Sequence, residues 1–129
     1  MIQDIQQELS AYTKGLLYMS ESERPFEVVD LGMVKDNQVT DKIKEVYKVQ
    51  ALEERDSTAF FDKVKNSADP NDEQMHAYVK QMLALQQYLQ TTFSKVQVYR
   101  AGTVEVSIFI VGQTSDGKCM LLHTVAIES

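Results

Sequence analysis

Apolar residues at Ile2, Ile5, Leu9, Tyr12, Leu16 and Met19 recur at steps of three and four, the period of one face of an α-helix. The spacing predicts an amphipathic helix over residues 2–19, widened by Leu17 and carrying Gly15 in its interior. Its end is expected near residues 20–22, because the residue preceding Pro25 is driven away from helical dihedrals. Residues 26–31 (FEVVDL) then read as a strand, and Lys35-Asp36-Asn37-Gln38 as turn chemistry. Thr40 is expected to cap a short helix to residue 47 through Ile43, Val46 and Tyr47, followed by a short strand at 49–53. Asp56 or Ser57 caps a second short helix carrying Phe60, Phe61 and Val64.

Asp69-Pro70-Asn71-Asp72 opens the longest periodic stretch. Its acids fall in the first turn, where the helix dipole favours negative charge. Met75, Tyr78, Val79, Met82, Leu83, Leu89 and Phe93 trace a helix of about 22 residues, interrupted only by Gln86. After Phe93 the period falls to two. Strands are expected at 95–100, 104–114 and 119–127, the first two joined at Ala101-Gly102 and the last two by Ser115-Asp116-Gly117-Lys118, with Asp-Gly as a hairpin signal.

Val104, Val106, Ile108 and Ile110 share one face of their strand, Phe109 and Val111 the other, and Leu121 and Leu122 oppose each other in the same way. A sheet apolar on both faces needs cover on both. The reading is α/β in the broad sense (α+β): an α-β-α sandwich, its sheet mostly antiparallel, with helices on each side. A length of 129 residues suits one domain spanning residues 1–129.

Charge narrows the function. The net value is −6, and the acids cluster: six against two bases over residues 1–30, and seven against three over 53–73. Nucleic-acid binding draws its affinity from cations on phosphate, so direct binding of nucleic acid is not expected. A basic protein partner, or solubility alone, accounts for an acidic surface. A polar N-terminus without a basic n-region, no apolar run approaching about 20 residues, and a single cysteine lead to the expectation of a cytoplasmic, membrane-free protein, monomeric when free.

Candidate chemistry is sparse. His76 and His123 have no neighbour at metal-ligand spacing, and Cys119 opens a strand as a small hydrophobe. No Gly-rich phosphate loop, GxSxG or HExxH is present. The Tyr78, Met82, Leu85, Gln86, Tyr88 and Leu89 stripe reads as core rather than as a groove. These observations predict a non-enzymatic protein with no cofactor of its own. What stands out is Ser20-Glu21-Ser22-Glu23, an acidic and hydroxylic run between two apolar segments.

The runs GLLYMSESERPFEVV (residues 15–29) and VQVYRAGTVEVSIFIVGQTSDGKCMLLHTVAIES (residues 96–129) resemble the nuclease A inhibitor family. Phe60-Phe61 and the acidic start of the long helix fit with looser spacing, and residues 32–56 do not match. The resemblance implies an α-β-α sandwich that inhibits a sugar-non-specific DNA/RNA nuclease of the ββα-metal class. It also implies how. Glu21 faces the nuclease's basic cleft, and Ser129, with its hydroxyl and terminal carboxylate, is presented to the nuclease's catalytic Mg²⁺. Beyond the resemblance, Glu23 and Asp72 are expected to form an acidic rim, with Glu128 directly before Ser129. Hard oxygens suit Mg²⁺, and such a carboxylate mimics a phosphate while offering no bond to cleave. The family's tryptophan before the long helix is replaced here by Pro70, and its C-terminal threonine by Ser129. The missing tryptophan supports an alternative, a divergent binding module of the same fold with a different basic protein partner.

Overall fold

The computed structural model describes residues 5–19, 23–66 and 71–127. Its centre is a five-stranded antiparallel sheet in the order β3-β7-β6-β5-β4. The strands are β3 (Glu27–Met33), β4 (Glu53–Arg55), β5 (Lys95–Ala101), β6 (Glu105–Gln113) and β7 (Lys118–Ile127). β6 and β7 are central and are buried along nearly their whole length, whereas β4 at one edge is three residues, Glu-Glu-Arg. Short, charged edges of this kind discourage pairing with other chains.

Because side chains alternate across a sheet, β6 and β7 feed two cores. On the first face Val106, Ile108, Ile110, Met120, Leu122 and Ala126 meet three helices: α1 (Ile5–Thr13), α3 (Ser57–Asn66) and α4 (Glu73–Thr92). On the second, Phe109, Val111, Cys119 and Leu121 meet α2 (Val39–Tyr47) through Val39 and Ile43. The expected sandwich and its division of Leu121 from Leu122 are therefore present. Each fully buried aliphatic or aromatic side chain contributes about 1.5–3 kcal/mol, and both cores are built of such residues.

The longest helix begins where its capping chemistry requires. Asp72 accepts from the backbone N–H of Gln74 and Met75 at 3.0 and 3.2 Å, and the helix runs for 20 residues. Tyr78, Met82, Leu85 and Leu89 are its buried stripe, so these residues are core as expected. α3 likewise has its cap: Asp56 accepts from Ala59 N–H at 3.0 Å.

Four expectations are corrected. The helix anticipated over 2–19 ends at Thr13. Gly15 takes a left-handed φ of +73°, which an L side chain resists, and Leu16 N–H bonds Thr13 O at 2.9 Å. Leu16 is still buried, so it satisfies the helical spacing from within a turn. The chain then forms a small antiparallel hairpin, β1 (Leu17–Met19) with β2 (Glu23–Pro25). Secondly, Thr40 lies inside α2 rather than capping it; the flanking Gln38 makes no side-chain cap bond. Thirdly, the strand anticipated at 49–53 is β4, at 53–55, where it can pair with Val98–Arg100 of β5. Finally, Val104 belongs to the turn before β6 and is exposed, so only Val106 onward packs in the core.

Candidate partner-binding surface

Three independent tracings lead to one end of the sandwich. β6 begins at Glu105, which lies opposite Ile127, the last residue of β7. β2 runs beside β7, with Thr124 Oγ1 donating to Arg24 O at 3.4 Å. Since β3 is antiparallel to β7 and Glu27 faces His123, stepping back to Glu23 moves toward the Ile127 end. α4 is joined to β5 by residues 93–94 alone, so α4 starts near the far end of β5, where Ala101 faces Ser107. Tyr78, little more than one turn into α4, correspondingly lines a common cavity with Arg100 and Ile108.

α1 gives the same direction. Tyr88 donates to Glu8 at 2.6 Å and Gln81 donates to Lys14 O at 3.3 Å, so α1 runs antiparallel to α4. β1 continues that course, and the Tyr18 ring stacks on Phe60 with 5.9 Å between centroids. Its last residue, Met19, pairs with Glu23.

Glu23, Asp72, Glu73 and Glu105 are all exposed at this end. Of the sequence-derived contact residues, Glu23 and Asp72 thus lie toward the same end, while Glu21, Glu128 and Ser129 lie outside the described residues. Asp72 has two tasks, because the carboxylate that caps α4 also contributes negative charge to the surface. Glu105 was missed by sequence reasoning. It stands in the stretch VQVYRAGTVE that carries the family resemblance, but only the β6–β7 register reveals that it neighbours the end of β7.

The possible catalytic side chains do not converge. His76 is exposed on α4, on the first face. Cys119 is fully buried on the second face, where burial raises its thiol pKa to about 11. His123 shares that face four residues farther along β7, about 13 Å at strand rise. It is stacked on Phe109 at 5.0 Å and lies against Tyr47 at 4.5 Å, with Nε2 3.2 Å from Ser107 Oγ. Burial lowers its pKa, against an opposing pull from Glu27. Among the described residues no group of three His, Cys, Asp or Glu side chains could hold a metal ion, and none of their helices is long and apolar enough to cross a membrane.

A second assembly was not legible in the sequence. Arg55 of β4 and Asp56 directly after it, Lys63 and Phe60 of α3, Tyr78 of α4, Tyr18 of β1 and Arg100 of β5 surround a cavity of about 270 Å³. They come from five separate parts of the chain, and no spacing signal unites them.

Comparison with known families gives one result. The family described as nuclease A inhibitor-like protein matches residues 3–129. No curated protein matches the chain significantly.

Proposed function

The chain belongs to the nuclease A inhibitor-like family, and on that premise we propose that it inhibits a sugar-non-specific ββα-metal nuclease through the acidic end of its sandwich. Membership implies a nuclease-inhibitor-like role and a nuclease as partner. The observation that carries the finer reading is the convergence of Glu23, Asp72, Glu105 and the end of β7 at one end of the fold.

A nuclease that cleaves any nucleic acid recognises backbone phosphate rather than sequence, so its cleft is lined with cations around a metal. An inhibitor must therefore present negative charge at a fixed spacing on a scaffold that offers nothing to cleave. Glu23 opens β2 of the short hairpin and is exposed there, and Glu21 precedes it by two residues in the sequence. Residues 128 and 129 directly follow β7. In this reading the oxygens of Ser129, including its terminal carboxylate, approach the partner's Mg²⁺, and Glu128 lies beside them. Glu21 enters the cation-lined cleft, with Glu23 and Asp72 forming the rim. Opposite fields accelerate encounter, and closely paired charges contribute about 1.5–7 kcal/mol of coupling in favourable interfaces. The protein supplies no catalytic group or metal to this process, and it acts in the compartment where the nuclease is made.

The test is Mg²⁺-dependent DNA cleavage by a ββα-metal nuclease from the same organism, titrated with the protein and with a version lacking Ser129. Stoichiometric inhibition that is lost on truncation supports the reading. If the intact protein leaves cleavage unchanged, the nuclease is not its partner. A different basic protein recovered by the intact chain would favour the divergent binding module.

A further inference from the structure

The cavity between β1, α3, α4 and the β4–β5 edge differs in chemistry from the acidic surface beside it. In a chain with 19 acids against 13 bases, its lining holds three cations, Arg55, Lys63 and Arg100, against one acid, Asp56. The Asp56 carboxylate is turned to the backbone of α3, where it accepts from Ala59 N–H. Arg55 is held at the edge strand by the Glu53 carboxylate and by Glu54 O, the latter at 3.2 Å. Arg100 faces Glu53 across the β4–β5 ladder and Ile108 across the β5–β6 ladder. Arg55 and Arg100 share the face that carries the first core, since Arg55 faces the buried Val98 two residues before Arg100.

The rest of the lining is aromatic and apolar. Tyr18 and Phe60 lie nearly parallel, 11° apart, Tyr78 is buried, and Val64 and Ile108 complete the lining. Guanidinium groups grip the several oxygens of a phosphate with paired hydrogen bonds, and aromatic faces take up planar rings by stacking. A volume of about 270 Å³ is near the lower bound, roughly 300 Å³, of small-molecule sites. It suits one ring with one phosphate and excludes a strand.

We propose that this cavity binds a small phosphate-bearing planar ring of the mononucleotide class, with Arg55, Arg100 and Lys63 on the phosphate and Tyr18, Phe60 and Tyr78 on the ring. The proposal involves no nuclease and stands or falls without one.

The experiment is a solution NMR titration of the isolated protein with adenosine monophosphate, adenosine and inorganic phosphate, following the resonances of Tyr18, Phe60 and Tyr78. Saturable shifts with the mononucleotide are expected, with affinity at least about tenfold above either fragment. Lys63→Gln, an exposed position on α3, should weaken binding about tenfold without altering the spectrum elsewhere. Arg100→Gln should weaken it at least as much. The proposal is overturned if millimolar mononucleotide leaves those rings unshifted or if phosphate alone binds as tightly. It is also overturned if Lys63→Gln binds like the unaltered protein, and that variant decides the matter should Arg100→Gln fold poorly.

Discussion

The two ends of the sandwich are built on different principles. At the closed end, where β6 turns into β7, the connections are bound to one another. Val34 N–H bonds Gly117 O at 3.0 Å, Ser94 N–H bonds Gln113 O at 2.9 Å, and the buried Gln113 amide donates to Val34 O at 3.0 Å. The ring of Phe93 covers Gly112, where a Cβ would lie only 2.6 Å from its carbons. At the other end Glu23, Asp72, Glu73 and Glu105 face solvent, and Glu105 pairs with Ile127. A binding surface must leave its charges free for a partner, whereas buried polar groups must be satisfied within the chain. Under the proposed function, the contrast divides stability at one end from recognition at the other.

The largest effect should come from the closed end. Phe93→Ala empties the space over Gly112 and removes a core side chain that is 5% exposed. A loss of about 3–5 kcal/mol in chemical denaturation is expected, with inhibition unchanged wherever the protein remains folded. Gln113→Ala comes next. It strands the carbonyl of Val34 in a buried setting and should cost about 1–3 kcal/mol in the same assay. Were either substitution to abolish inhibition in a folded protein, the division between the ends would be wrong.

At the acidic end the ordering reverses, and Asp72 separates the two roles within one side chain. Asp72→Asn keeps an oxygen able to accept from Gln74 and Met75. It should therefore leave thermal stability close to unaltered while slowing association with the nuclease. Asp72→Ala loses the cap as well, at about 0.5–2 kcal/mol. Equal association rates for both variants and the unaltered protein would remove Asp72 from the contact.

How much of this was visible beforehand depends on whether the signal is local. α4, β5, β6 and β7 are long enough for their periods to be read, and the cap at Asp72 and the turn at Asp116-Gly117 announce themselves. The β1–β2 hairpin could not be read. Three residues hold no usable period, and Leu16 and Met19 continue the spacing of α1 by coincidence. Val104 was misplaced because the turn after β5 uses residues 102–104, which alternation alone cannot show. For the surface, Ser20-Glu21-Ser22-Glu23 drew notice by composition. That Glu23 lies toward the same end as Asp72 and Glu105 depends on strand order and on the direction of α4. The Arg55–Lys63–Arg100 cavity depends on tertiary structure altogether.

A smaller, global prediction concerns His123. Burial between Phe109 and Tyr47 depresses its pKa from the ordinary 6.5, so the unfolded chain binds the proton more readily. The histidine's contribution to stability is thus complete above pH 6.5 and declines as pH falls through that value toward the folded pKa. Thermal melts of the protein and of His123→Phe should show a shallower fall for the variant between about pH 7 and 5. Parallel curves would mean that His123 does not titrate as its surroundings require.

The most direct measurement compares charge reversal at the two ends in one nuclease assay. Glu21→Lys with Glu23→Lys alters the acidic segment, and Asp36→Lys alters the closed end, where Asp36 makes an exposed 3.8 Å pair with Lys95. Each is titrated against Mg²⁺-dependent cleavage over a range of ionic strength. The account predicts that the double reversal abolishes or severely weakens inhibition and removes its salt dependence, while Asp36→Lys inhibits like the unaltered protein. Equal inhibition by both variants would contradict it.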